Sequence, residues 1–197
     1  MMIKNLIDED FVNYKKPSMF IGSSYCDFKC EKECGLRVCQ NSELAAAPCI
    51  DIDPEEIITR FNDNPITEAI VFGGLEPLYA PDNKINIFHY FSSYINLLNE
   101  GTDIVVYTGY YPEEIPYSSF QYWGSMTDAI KGHLIFKFGR FIPNRPSRYD
   151  DVLGVTLASD NQFAFDYSID RGVQYARDYH KIAIDYGKEI RRKAGLI

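Results

Sequence analysis

The stretch Ser18-Met19-Phe20-Ile21-Gly22-Ser23-Ser24-Tyr25-Cys26-Asp27-Phe28-Lys29-Cys30 sets a short apolar run against a glycine, a polar loop and two thiols. An apolar run without polar alternation reads as a strand buried on both faces, as parallel sheets require. The same signature returns at residues 69–72, 104–107, 133–138 and 153–157. Helical patterns fall between these runs. Asp53-Pro54-Glu55-Glu56 supplies a capping carboxylate, a proline at the first helical position and a glutamate at the third, ahead of Ile57, Ile58 and Phe61. Ile87, Phe91, Tyr94, Ile95 and Leu98 recur at helical spacing, with Gly101 as a stop. Residues 123–130 offer a shorter third helix. In residues 168–193 the stripe Val173, Ala176, His180, Ala183 and Ile190 predicts a closing helix with Ser168 as its cap. Strands alternating with crossover helices predict an α/β fold.

Bulk properties narrow the classes. At 197 residues and 46% apolar content the chain is expected to form a single domain over 1–197, with a core at about 17–163 and the C-terminal helix at about 168–193. A formal charge of −8 argues against a general nucleic-acid binder or a binder of anionic membranes, which need a basic face. The one basic run, residues 188–193, suits the last turns of a helix. Neither a signal-length apolar core at the start nor a membrane-spanning run is present, so a cytoplasmic location is expected. In a reducing compartment five cysteines, an odd number, point to metal or catalysis rather than disulfides. Cys49, in an apolar setting, reads as a small buried hydrophobe.

The remaining four, Cys26, Cys30, Cys34 and Cys39, crowd into one polar loop directly after the first apolar run. Thiolates so dense serve a soft metal centre, zinc or iron–sulfur. Zinc sites usually take their ligands as two separated pairs, which this single run does not provide. Four thiolates close an iron–sulfur cluster, whereas three leave one iron open. Glycine and polar residues also follow each of the other runs: Gly73-Gly74-Leu75-Glu76-Pro77, Thr108-Gly109-Tyr110, Gly139-Arg140 and Ala158-Ser159-Asp160-Asn161-Gln162. In β/α architectures the loops at the carboxyl ends of the strands build the ligand site.

An apolar strand, a Cys-x3-Cys pair with a third cysteine nearby, and a Gly-Gly-x-Glu-Pro turn after the next strand together resemble the radical S-adenosylmethionine (SAM) superfamily. Tyr107-Thr108-Gly109-Tyr110 and Ser159-Asp160-Asn161-Gln162 further resemble elements of the activating enzymes of anaerobic ribonucleotide reductase, over about residues 19–163. The resemblance implies a partial (β/α) barrel of about five or six parallel strands with flanking helices, radical SAM type. It implies a 4Fe–4S cluster on Cys26, Cys30 and Cys39, and SAM held at Gly73, Gly74, Glu76, Pro77, Thr108, Ser159 and Asn161, with no catalytic side chain beyond the cluster. The implied activity is reductive cleavage of SAM to a 5′-deoxyadenosyl radical, used to make a glycyl radical on a reductase subunit. A flavodoxin or ferredoxin would be the electron donor.

This chain departs from the family pattern in two places. The third cysteine usually follows after two residues; here Cys34 comes one residue late and Cys39 six residues late. Val38-Cys39-Gln40-Asn41, apolar before and polar-Asn after, fits the pattern better than Glu33-Cys34-Gly35, and Cys34 remains the alternative third ligand or a fourth. The glycine turn carries an extra Leu75. Thr108 either binds ligand or ends its strand, and Asp160-Asn161 suits a ribose contact or an Asx turn equally. Arg140 reads as a partner for a carboxylate or as a solvated cation, and His180 as a core residue, while His89, His133 and His180 lack the spacing of a metal triad. Two rival readings stand: radical SAM chemistry on another peptide or small metabolite, and a non-catalytic zinc or Fe–S module closed by all four thiolates.

Overall fold

The structure is a computed structural model that describes residues 1–82, 84–119, 122–123, 130–168 and 176–197, without the side chains of residues 176, 177 and 179. Its centre is a seven-stranded open sheet. Strands β1 (Met2–Asp10), β2 (Ser18–Ser23), β3 (Ile50–Asp51), β4 (Ala69–Gly73), β5 (Asp103–Tyr107), β6 (Leu134–Phe138) and β9 (Phe163–Asp166) lie in the order β3-β1-β2-β4-β5-β6-β9. β2, β4, β5 and β6 are parallel neighbours, paired Ser18 to Ala69, Ala69 to Asp103 and Ile104 to Leu134. β1 runs antiparallel to β2, β3 to β1, and β9 to β6. The sheet is mixed α/β with flanking helices, and it does not close.

Four of the five expected strands fall on these parallel strands, but the run 153–157 does not. Asp150 Oδ1 accepts the amides of Val152 and Leu153 at 3.1 Å each, and Gly154 donates to the Asp150 carbonyl at 2.7 Å. The run therefore begins as a turn, joining β7 (Arg148–Asp150) and β8 (Val155–Leu157) in a separate antiparallel hairpin. A parallel fifth strand needs a long crossover to return the chain to the far edge. Here a hairpin fills the connection, and the chain comes back antiparallel as β9. The sequence reading also did not mark β1, whose side chains are largely charged or amide and bury only Ile3 and Asp10.

Both faces of the parallel strands are covered. On one face Ile70, Phe72, Ile104, Val106, Leu134 and Phe136 meet helices α3 (Pro54–Asn62), α4 (Ile87–Ser92) and α5 (Ala176–Lys193). On the other, Ala69, Val71, Val105 and Ile135 meet Tyr14 from the β1–β2 connection and Leu153 and Leu157 from the hairpin. This alternation follows from the two-residue period of a strand. Asp53 caps α3 by accepting the Glu55 amide at 3.0 Å, and Ile57, Ile58 and Phe61 are buried, each contributing on the order of 1.5–3 kcal/mol.

The second expected helix is shorter than its periodicity suggests. Ser92 Oγ donates back to the His89 carbonyl at 2.5 Å, Ser93 ends α4, and a 3-10 turn at Ile95–Leu97 follows. Paired serines compete with the helix for its own carbonyls. The third expected helix lies mostly outside the described residues, as do Val173 and the link from Ser168 to α5. Ala183 and Ile190 are buried as expected, whereas His180 is half-buried, its ring 6.0 Å from that of Tyr117. Cys49 is half-buried beside the exposed Ile50 rather than in the core. Among the described residues no helix is long and apolar enough to cross a membrane.

Candidate functional site

A cavity of about 430 Å³ opens at the carboxyl ends of β2, β4, β5 and β6. Its wall carries Cys26, Cys30 and Cys39 from the first loop, Gly74, Leu75 and Glu76 from the second, Thr108, Gly109 and Tyr110 from the third, and Gly139 and Arg140 from the fourth. The β7–β8 hairpin contributes Val155 and Leu157 to the lining.

Local structure explains which thiols reach the wall. Helix α1 (Lys29–Cys34) is six residues long and ends at Gly35, whose φ of 66° lets its amide return to the Glu31 carbonyl at 2.9 Å. The Glu31 carboxylate then accepts the Cys39 amide at 3.2 Å, folding residues 35–39 back along the helix and carrying Cys39 to the cavity. Cys34 does not line it. Its Sγ donates to the Cys30 carbonyl at 2.9 Å, one turn back along α1. Burial, followed by the neighbouring Cys39, raises the Cys30 thiol. Burial pushes Cys26 up to about 12, opposed by the Phe28 amide and aided by Glu76 and Asp27. All five cysteines are free thiols, and among the described residues no three His, Cys, Asp or Glu side chains converge on one point as ligands of a single ion.

Glu76 is buried and ties two loops together. Its carboxylate accepts Thr108 Oγ1 at 2.7 Å, the Gly109 amide at 2.8 Å and the Leu78 amide at 3.1 Å, while its own amide donates to the Tyr25 carbonyl at 3.0 Å. Burial lifts the carboxyl to about 7 in spite of these donors. Thr108 is thus engaged with Glu76, and it also accepts the Tyr110 amide at 3.0 Å. Tyr110 in turn donates to Asp27 at 3.0 Å, linking the third loop to the cysteine loop.

Of the two readings of Arg140, the solvated cation does not hold: Arg140 is buried and pairs with carboxylates, those of its own chain. It donates to Glu33 through Nε and Nη2, to Glu114 at 2.7 and 2.9 Å, and to the Gly109 carbonyl at 2.8 Å. Burial works against both charges, yet these hydrogen bonds raise Arg140 above its usual range and hold Glu114 at about 2. Gly73 and Pro77 are buried off the wall, Gly73 beneath the Phe20 ring. Ser159 and Asn161 are likewise buried behind it: Asn161 Nδ2 donates to Tyr111 Oη at 3.0 Å and to the Arg140 carbonyl at 2.9 Å. Gln162 reaches the wall and donates to the Gly139 carbonyl at 3.1 Å.

Neither protein-family models, nor curated proteins, nor solved structures match this chain.

The sequence reading passed over Lys137. It is a lone cation in the apolar run of β6, it is buried, and it lines the cavity, donating to the Gly139 carbonyl at 2.7 Å. Burial pulls its ammonium down to about 7, against the pull of Glu76 and Asp150. A charged residue inside an otherwise continuous apolar strand was the available signal, since burying an ammonium is costly unless something answers it.

By residue type, Cys26, Cys30 and Cys39 are soft donors lining the same cavity as Gly74 and Leu75, while the thiol of Cys34 is turned along its helix. Metal ligation takes thiolates, so the protons that burial holds on Cys26 and Cys30 would have to be released as a metal binds.

Proposed function

We propose that this chain is a radical SAM enzyme that binds a 4Fe–4S cluster through Cys26, Cys30 and Cys39 and SAM in the adjoining cavity. The observation carrying this reading is the sharing of one cavity wall by those three thiols and by Gly74 and Glu76, with Cys34 excluded. When bound, such a cluster supplies the single electron that cleaves the sulfonium C–S bond of SAM and yields the 5′-deoxyadenosyl radical. The fold offers this site four parallel strands in an open mixed sheet, rather than the five or six expected of a partial barrel.

The chain's own residues position and enclose. Glu76 fixes the β4 and β5 loops relative to each other, and Arg140 fixes α1 against the segment after β5, so the thiols stand on a braced loop rather than a free one. The hairpin residues Val155 and Leu157 add an apolar part to the cavity lining. Val12, also on the wall, leaves an apolar side chain exposed, and so does its chain neighbour Phe11, an apolar surface suited to a polypeptide segment. The substrate is accordingly a glycine on a partner reductase, with the glycyl radical as product and a flavodoxin or ferredoxin as donor.

Anaerobic reconstitution with iron and sulfide, followed by dithionite and SAM, tests the reading. The expected products are methionine and 5′-deoxyadenosine, with a glycyl radical detected by electron paramagnetic resonance when an anaerobic ribonucleotide reductase subunit is added. An intact cluster that forms no 5′-deoxyadenosine overturns it.

A further inference from the structure

The β7–β8 hairpin forms a small sheet of its own, so each of its strands has one edge outside the pairing. β7 is engaged with the chain around β9 through its side chains. Asp150 Oδ2 accepts the Ala164 amide at 2.9 Å, and Arg148 Nη1 donates to the Gln162 carbonyl at 3.1 Å. β8 is placed differently: Val155, Thr156, Leu157 and the following Ala158 all line the cavity, whereas Arg148, Tyr149 and Asp150 do not. A strand that met the cavity with one face would contribute alternate residues, because its side chains point to opposite sides in turn. Consecutive lining residues mean that β8 meets the cavity edge-on, with its main chain.

Beyond the ladder with β7, the main chain of residues 155–158 makes no hydrogen bond among the described residues. Alternate N–H and C=O groups on this edge are therefore open to another chain. Proteins usually blunt such edges with charge, proline or bulges. β1 does so, since it pairs with β3 through Met2 and Ile3 alone and carries Lys4, Asp8, Glu9 and two breaks in register over the rest of its length. Residues 155–158 contain no charge and no proline, and their exposed positions are the small Thr156 and Ala158. Val12, 73% exposed, lines the same cavity from the β1–β2 connection, which the Lys15 amide ties to the hairpin by donating to the Leu153 carbonyl at 2.8 Å.

We propose that the free edge of β8 binds an extended polypeptide segment by strand addition, holding the substrate through its main chain in the cavity that the thiols line. Strand addition draws affinity from main-chain hydrogen bonds, so a glycine, which offers no side chain to grip, is held as well as any residue. β8 spans three residues, a length suited to a short flexible segment and too short to pair stably with the sheet of a second copy. The edge is a property of the fold, and its use for substrate rests on the cofactor reading above.

The test uses the full chain and a blocked pentapeptide of threonine and valine about a central glycine, with binding followed by amide NMR of the isotope-labelled protein. Saturable shifts should appear at residues 155–158. N-methylation of a peptide amide should weaken binding roughly 10-fold where it falls on the bonded side, and less than about 2-fold at the intervening positions. No shift at millimolar peptide, or a methylation series without this alternation, overturns the proposal. Shifts at 155–158 that grow with protein concentration in the absence of peptide would give the edge to a second copy and overturn it as well. SAM cleavage by the cluster-loaded protein is measured in parallel. Its absence overturns the cofactor reading while the peptide series still judges strand addition, and normal cleavage without the alternation overturns strand addition alone.

Discussion

Arg140 holds Glu33 through two charged hydrogen bonds of 2.5 Å, joining residues 107 positions apart in the chain. Glu33 stands on the helix that carries Cys30, so the end of β6 sets where the cysteine loop rests. Arg140 also stacks 4.7 Å over the Tyr111 ring, whose other close cation, Arg191 of α5, is 4.2 Å away. Helix α5, the third loop and the cysteine loop are therefore braced through two guanidiniums that share the Tyr111 ring.

Removing Arg140 should cost more than removing either acid. Arg140→Met leaves the half-buried Glu114 with only the partly exposed Lys29 as counter-ion and should destabilise by about 2–3 kcal/mol in denaturant unfolding. Glu33→Gln should cost under about 1 kcal/mol, because the Glu33 side chain is 56% exposed and its charge is screened. Equal losses from the two variants would show that the brace does not depend on burial.

Cys34 and Cys39 should behave oppositely. Cys34→Ala removes a thiol bonded to its own helix and should leave iron content and the visible absorption of the reconstituted protein unchanged. Cys39→Ala removes a thiol from the cavity wall and should abolish stable cluster incorporation. The reverse pattern would make Cys34 the third ligand and remove the geometric basis for the choice.

The parallel core was legible because apolar runs at 18–22, 69–72 and 104–107 need no partner to be recognised, and the Asp53-Pro54 cap is a local signal. What the sequence hid depends on pairing at long range. The antiparallel return of β9 follows from the Asp150 turn, and the fate of Arg140 follows from Glu33 and Glu114, neither of them a neighbour in sequence. Cys39 was favoured over Cys34 on its flanking residues, whereas the structure offers a separate reason, the Glu31 carboxylate that folds the intervening segment. Glu76 and Thr108 stood out as ligand contacts, yet they bond each other first.

Gly74 has a backbone φ of 73°, and an added Cβ would lie 2.5 Å from Leu44 Cδ2. Gly35 has a similar φ of 66° with nothing near its missing side chain. Gly35→Ala should therefore cost only the left-handed strain, about 1 kcal/mol, while Gly74→Ala should cost about 2 kcal/mol and shift the cavity wall as Leu44 gives way. Thermal unfolding of the two variants checks the difference, and equal costs would mean that Leu44 moves freely.

Two buried ionisable groups give stability opposing slopes about neutrality. Glu76 has its folded value raised from 4.5 to about 7, so between these limits the folded chain keeps a proton that the unfolded chain has lost, and stability falls as pH rises. Lys137 has its folded value lowered from 10.5 to about 7, so above 7 the unfolded chain holds the extra proton and stability rises again towards 10.5. Urea unfolding at intervals from about pH 5 to 9 should therefore give difference curves of opposite sign for two variants. Glu76→Gln should flatten the falling limb relative to wild type while lowering the baseline, since its amide turns a donor towards the Gly109 amide. Lys137→Met should flatten the rising limb and raise stability near neutral pH, because it removes a buried ammonium that no carboxylate answers. A Lys137→Met protein less stable than wild type across the whole range would show that the ammonium is compensated inside the fold.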